Sequence, residues 1–165
     1  MTNLEFCLAR RKAEIPTFVR VLKALPEACL EYRPHERCRT AAEIAWTIAC
    51  EEADLLVLLE KGAVDFKETK PPKTAGEIVS AYERNAAAVN AALETLHDSA
   101  WQKKGAFMMD GKPVWETTIG EFAWGFLFDA IHHRGQLSAY LRPMGGKVPG
   151  IYGPSADEPS QPPSS

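Results

Sequence analysis

Asp129 and His133 stand four residues apart in the stretch DAIHHRGQLSAYLR, residues 129–142, so a helix there would carry a carboxylate and an imidazole on one face. Such a pair can grip one cation together, or it can close on itself. If exposed, the closed pair is worth only about 0.3–0.5 kcal/mol, so chemistry needs more than these two groups. His132 is turned by about 100° from His133 and belongs to a helix interface or the surface. A catalytic zinc generally takes three protein ligands and keeps one position for water or substrate. Another helix must therefore supply the third. The stretch TAAEIAWTIACEEADLLVLLEKG offers Glu43, Thr47 and Glu51 at steps of four along one face. Of the two nearest choices, Glu51 is the stronger ligand and Thr47, a neutral hydroxyl, the weaker.

Each of these residues also has a structural reading. His133 fits a buried histidine bonded to Asp129. Arg134 and Gln136 fit anchors from this helix to a neighbouring connector or the C-terminal segment, and Gly135 fits a close helix contact. Glu51 and Glu52 fit a solvated helix face. Trp46, Trp124, Phe126 and Phe128, at helical spacing, fit a core or a dimer interface better than a cofactor box.

Four helices must position these groups. The first, over residues 3–24, carries Phe6, Leu8, Ile15, Phe18, Val19 and Leu22 at steps of three and four, with Pro16 expected to kink or break it. A connector with Pro26 and Pro34 follows. Thr40 and Glu43 form a capping-box pattern opening a second helix that ends near Gly62. VDFKETKPPK reads as a loop, and Thr74 with Glu77 opens an alanine-rich third helix reaching about Leu96. WQKKGAFMMDGKPVWETT reads as a connector with a turn at Asp110-Gly111. The fourth long helix starts after Thr117 or Thr118 and stops before Pro143. No strand series is legible, so the expected fold is all-α: a four-helix bundle with an irregular C-terminal extension. The expected division is one domain over 1–153 and a flexible tail over 154–165, dense in proline and serine.

The 165 residues are 45% hydrophobic and 25% charged, which excludes a disordered chain, and a net charge of -3 gives no general attraction to nucleic acid. Cys7, Cys29, Cys38 and Cys50 form no CxxC pair and have no adjacent base, which argues against both a zinc framework and a thiol nucleophile. With no secretory leader legible and no apolar run of about 18 residues, a cytoplasmic protein that meets no membrane is expected.

The stretches RTAAEIAWTIACEE and DAIHHRGQLSAYLRPMGGKVPGIYGPSADE resemble the DinB/YfiT-like superfamily, with LPEACLEYRPHE as a weaker match. The resemblance spans nearly the whole domain. It implies a four-helix bundle, often dimeric, holding a divalent metal such as zinc or nickel, with relatives that transfer or isomerise using low-molecular-weight thiols. The family's three metal-binding histidines fall on Thr47, Asp129 and His133, and only His133 is still histidine. Because even second-shell changes cost roughly 10–100-fold in metal affinity, this set is a degenerate one in which Asp129 remains a ligand and Thr47 is weak, with Glu51 as its substitute.

Two functions follow as expectations. One is a metal-dependent thiol transferase or hydrolase acting on a small molecule, with the bound ion lowering the pKa of a thiol or water. The other is a non-catalytic small-molecule-binding or stress-response bundle that has lost the metal. Under either reading the chain is expected to form a homodimer.

Overall fold

The computed structural model describes residues 1–159. The four expected helices are α1 (Asn3–Lys23), α2 (Ala41–Lys61), α3 (Ala75–Thr95) and, after a single-turn α4 (Asp98–Trp101), α5 (Ile119–Leu141). Side-chain caps set their starts. The Thr40 hydroxyl accepts from Glu43 N at 3.1 Å while Glu43 Oε2 accepts from Thr40 N at 2.7 Å, and Thr74 with Glu77 repeats the arrangement. Thr118 caps α5 by accepting from Glu121 N. Gly62 ends α2 in the left-handed region at φ 74°, where a side chain would be strained. Pro16 lies within α1, and the helix continues through it without the expected break.

The all-α expectation is corrected by a three-stranded sheet of order β1-β2-β3: β1 (Ala63–Phe66), β2 (Lys104–Met109) and β3 (Lys112–Thr118). Strand β1 pairs parallel to β2, and β2 pairs antiparallel to β3. The Asp110-Gly111 turn is the hinge of that hairpin. Both residues have positive φ, 50° and 73°, which matches the twist of a two-residue hairpin loop.

Helix α2 packs on α3 and α5, and α1 packs on the same two. Their shared core includes Phe18, Leu22, Ile48, Ile78, Tyr82 and Leu137. The sheet closes one end of the bundle through Leu58, Val64, Ile119 and Phe122. At that end α5 meets α4 without clearance, since a Cβ on Gly120 would stand 2.5 Å from Cε2 and Nε1 of Trp101. Gly120→Ala is therefore expected to destabilise the fold by about 1–3 kcal/mol, lowering the urea midpoint. An unchanged midpoint would mean Trp101 moves aside freely.

Two packing expectations also change. Glu51 and Glu52 are buried at 8% and 5% exposure, not solvated. Gly135 is exposed with open space around its Cβ position, so it mediates no close contact. None of the described helices is long and apolar enough to cross a membrane. The C-terminal segment folds back on the bundle: Asp157 Oδ2 accepts from Arg142 and from Val148 N, and Glu158 Oε2 from Gly150 N. Residues 160–165, the end of the tail expected from residue 154, lie outside the described residues.

Candidate metal centre

Because α2 and α5 are neighbours, the polar line of α2 faces the Asp129–His133 step of α5 across a cavity of about 500 Å³. Thr47, Glu51, Asp129 and His133 all line it. Ligand-capable atoms of Glu51, Asp129 and His133 lie within 4.8 Å of one another. His133 Nε2 is 3.6 Å from Glu51 Oε1 and 3.7 Å from Asp129 Oδ2. Asp129 reaches in from an exposed position, while Glu51 and His133 are largely covered.

Thr47 lines the same cavity as these three. Its hydroxyl donates back to Glu43 O at 2.9 Å and accepts from Arg39 Nη1 at 3.0 Å, so it is committed to its own helix and to the connector before it.

The histidine's orientation comes from a residue whose role the sequence reading placed elsewhere. Gln136, one turn on, sets its Oε1 2.9 Å from His133 Nδ1. With Nδ1–H donating to that amide oxygen, Nε2 presents its lone pair to the two carboxyl groups, the tautomer a metal ligand requires. Arg134, by contrast, is an anchor as anticipated. It bonds Glu14 Oε2 at 2.7 Å and Thr17 Oγ1 at 2.6 Å on α1, and the Tyr152 hydroxyl at 2.6 Å in the C-terminal segment. Being next to His133 and 2% exposed, Arg134 fixes the rotation of α5 that turns His133 toward the cavity.

Glu51 is the electrostatic anomaly. Burial pushes its carboxyl up to about 10, helped by a hydrogen bond with Asp129 and by the charges of Asp129, Glu52 and Asp54. It therefore carries a proton at neutral pH whenever no cation is beside it. Its Oε2 is buried without a hydrogen-bond partner among the described residues, which is costly unless something binds there. Glu52, its neighbour, points into the core and pairs with Arg11.

Around the cluster, Trp46 Nε1 donates to Thr69 Oγ1 at 2.8 Å and Cys50 Sγ sits 3.5 Å from the same hydroxyl, pinning the segment after β1 across the cavity mouth. Burial raises the Cys50 thiol above its ordinary value and pushes Cys7 up to about 11, so neither is a ready nucleophile. His132 is exposed. Phe126 lines the cavity, whereas the exposed Phe128 stacks on Trp124 away from it. Asp54 and Phe107 also line the cavity and were not anticipated. Asp54 was findable, since it falls three residues after Glu51 on the same face. Phe107 lay on a strand read as connector.

A helical bundle closed by a small sheet, with a carboxylate–imidazole cluster in the cavity between two helices, defines the class of this protein. The DinB family model matches residues 7–163, and the chain belongs to that family. The chain is similar in structure to a DinB-like protein from Bacillus cereus ATCC 10987, at 26% identity and a TM-score of 0.72, covering 90% of this chain and 97% of that one. A DinB-like protein from Bacillus subtilis, YjoA, superposes with a TM-score of 0.68 at 17% identity, over 88% of this chain and 96% of its own. The mycothiol-dependent maleylpyruvate isomerase shares the fold at 14% identity and a TM-score of 0.54, and the match spans 88% of this chain but 62% of that enzyme. No curated protein matches the chain by sequence.

Proposed function

We propose that Glu51, Asp129 and His133 form a divalent-metal site, for zinc or nickel, and that the cavity beside it carries out nucleophilic chemistry on a small molecule, either thiol transfer or hydrolysis. The observation that carries this reading is the cluster itself: three donors from two helices, an imidazole held in the ligating tautomer by Gln136, and a buried carboxyl oxygen with no partner. The donor set suits a borderline cation. An ion held there would lower the pKa of a bound water or low-molecular-weight thiol toward neutrality. The chain's own part is to hold that nucleophile against the cavity wall, with Glu51 giving up its proton to solvent as it ligates the ion. The thiol alternative draws support from the mycothiol dependence of the fold-related isomerase.

A second reading, a ligand-binding bundle without metal, is favoured by one feature: the raised Glu51 carboxyl keeps its proton, so the buried side chain carries no charge when no ion is present. Titration with cobalt(II) separates the two. The metal reading expects visible d–d bands that saturate, shift on adding a low-molecular-weight thiol, and are missing in His133→Ala; a spectrum of free aqueous cobalt in the parent protein would leave the second reading standing.

A further inference from the structure

The cavity beyond the metal cluster has an uneven charge. Five carboxyl groups line it, from Glu43, Glu51, Asp54, Glu68 and Asp129, of which Glu51 is held protonated without an ion, against two basic side chains, Arg39 and Lys67, and the imidazoles of His132 and His133. Lys67 is already compensated by Asp65, 2.9 Å away. Arg39 is exposed and bonds the Thr47 hydroxyl. Asp54 is half-buried, and no hydrogen bond or ion pair engages it among the described residues. Burial alone pushes its carboxyl up to about 6, the mark of a charge without a counter-ion.

One wall of this space is aromatic. Phe66, Phe107 and Phe126 follow one another at ring-centre distances of 6.0 and 6.2 Å, linking β1, β2 and α5, and the row ends three residues before Asp129. Trp46 also lines the cavity, its indole held by Thr69. A surplus of carboxylates beside π-faces attracts a cation with an apolar body and repels an anion, since the ring faces and the carboxylates both favour positive charge.

We infer that the substrate is an organic amine, its ammonium group held by Asp54 with Glu68 and its apolar body laid along the Phe66–Phe107–Phe126 wall. This names the substrate class for the proposed function and rests on that reading only in taking the cavity as the functional site. The amine would sit beside the metal cluster without displacing it, because Asp54 is not one of the three donors.

Calorimetric titration with three probes of one shape, phenethylamine, 2-phenylethanol and 3-phenylpropionate, tests it at neutral pH. Phenethylamine is expected to bind at least about tenfold more tightly than the alcohol, with the acid weaker still, given the strength of a charge-assisted hydrogen bond. Asp54→Asn should lose about tenfold in amine affinity, and the exposed Glu68→Gln, which leaves the fold untouched, should lose a smaller factor. The amine should still bind in the presence of a chelator, since Asp54 is not one of the three metal donors. If the alcohol or the acid binds as tightly as the amine, if no probe binds, or if both carboxylate variants bind it as the parent does, the inference falls. Amine binding without any metal uptake would sink the metal reading alone.

Discussion

With glutamine at position 51, the protein is expected to stop binding zinc or nickel and, in chelator, to become more stable than the parent in alkaline buffer. The two effects have one cause. Glu51 has its carboxyl pushed from an ordinary 4.5 to about 10, first by burial and then by Asp129 and its acidic neighbours. A carboxyl raised in the folded state contributes stability that is whole below about 4.5 and drains away as pH rises toward 10, because the unfolded chain gives up the proton first. The loss is roughly 1 kcal/mol per pH unit across that window. Glutamine has the shape of the protonated acid and can still donate to Asp129, but it never ionises, so this slope should vanish. The gain over the parent should reach a few kcal/mol by pH 8. Glutamine also removes one of three donors, and the affinity should fall at least about 100-fold. In zinc at a hundredfold excess over the parent's Kd only the parent gains, by about 3 kcal/mol, so the order of stability reverses below roughly pH 6.5 and the gap narrows above it. Thermal melts of both proteins from pH 5 to 9, with chelator and with zinc, read all of this. Parallel curves in chelator would show that Glu51 is ionised in the folded protein.

Replacing Arg134 with methionine should cost about 3–5 kcal/mol, a large share of the stability of a domain this size. The guanidinium lies over the Phe18 ring at 4.5 Å and the Tyr152 ring at 5.1 Å while it bonds Glu14, Thr17 and Tyr152. Methionine can fill part of that slot, but it leaves Glu14, 3% exposed, with no cation inside the bundle; its remaining partners are the half-exposed Arg10 and the neutral Tyr152 hydroxyl. In the parent, burial pushes the Glu14 carboxyl up, and the hydrogen bonds and charge of Arg134, with Tyr152, outweigh it, so the net direction is down. Stability from such a lowered carboxyl is present above its unfolded value near 4.5 and is lost as pH falls through the folded one. In Arg134→Met that contribution is missing, and protonating Glu14 becomes favourable. The gap between variant and parent in urea should thus be widest near neutral pH and narrow toward pH 4. A gap that stayed constant with pH would assign the loss to packing alone. Since Arg134 adjoins His133, the variant should also bind metal more weakly, even where it is folded.

The helices were legible because each carries its own local signals. Thr40 with Glu43 and Thr74 with Glu77 are caps written in adjacent residues, and Gly62 marks a stop that only a left-handed residue provides. The sheet was not legible. Strand β1 is four residues long and follows Gly62 directly, and its partner lies some forty residues on, so nothing local announces the pairing. Strand β3 has mostly exposed residues, without the alternation that marks a half-buried strand. The Asp110-Gly111 pair signals a turn, but its flanking residues lack the alternating hydrophobic pattern that would mark a hairpin.

At the site, the facing of 129 and 133 followed from helical geometry, and the resemblance carried position 47. What sequence could not supply was depth. Glu51 and Glu52 are adjacent and chemically alike, yet one opens on the cavity and the other pairs with Arg11 in the core, a difference set by which helices flank α2. The Thr47 hydroxyl is taken up by a backbone hydrogen bond to Glu43 that no spacing reveals. Gln136 became visible only once the histidine's ring had a direction.

Elemental analysis of protein purified without a nickel column, incubated with zinc and nickel and then dialysed, tests the central claim most directly. The parent is expected to retain about one ion per chain, and His133→Ala, equally folded by circular dichroism, less than about a tenth of that. A parent with no retained metal, or a variant that retains as much as the parent, would contradict it.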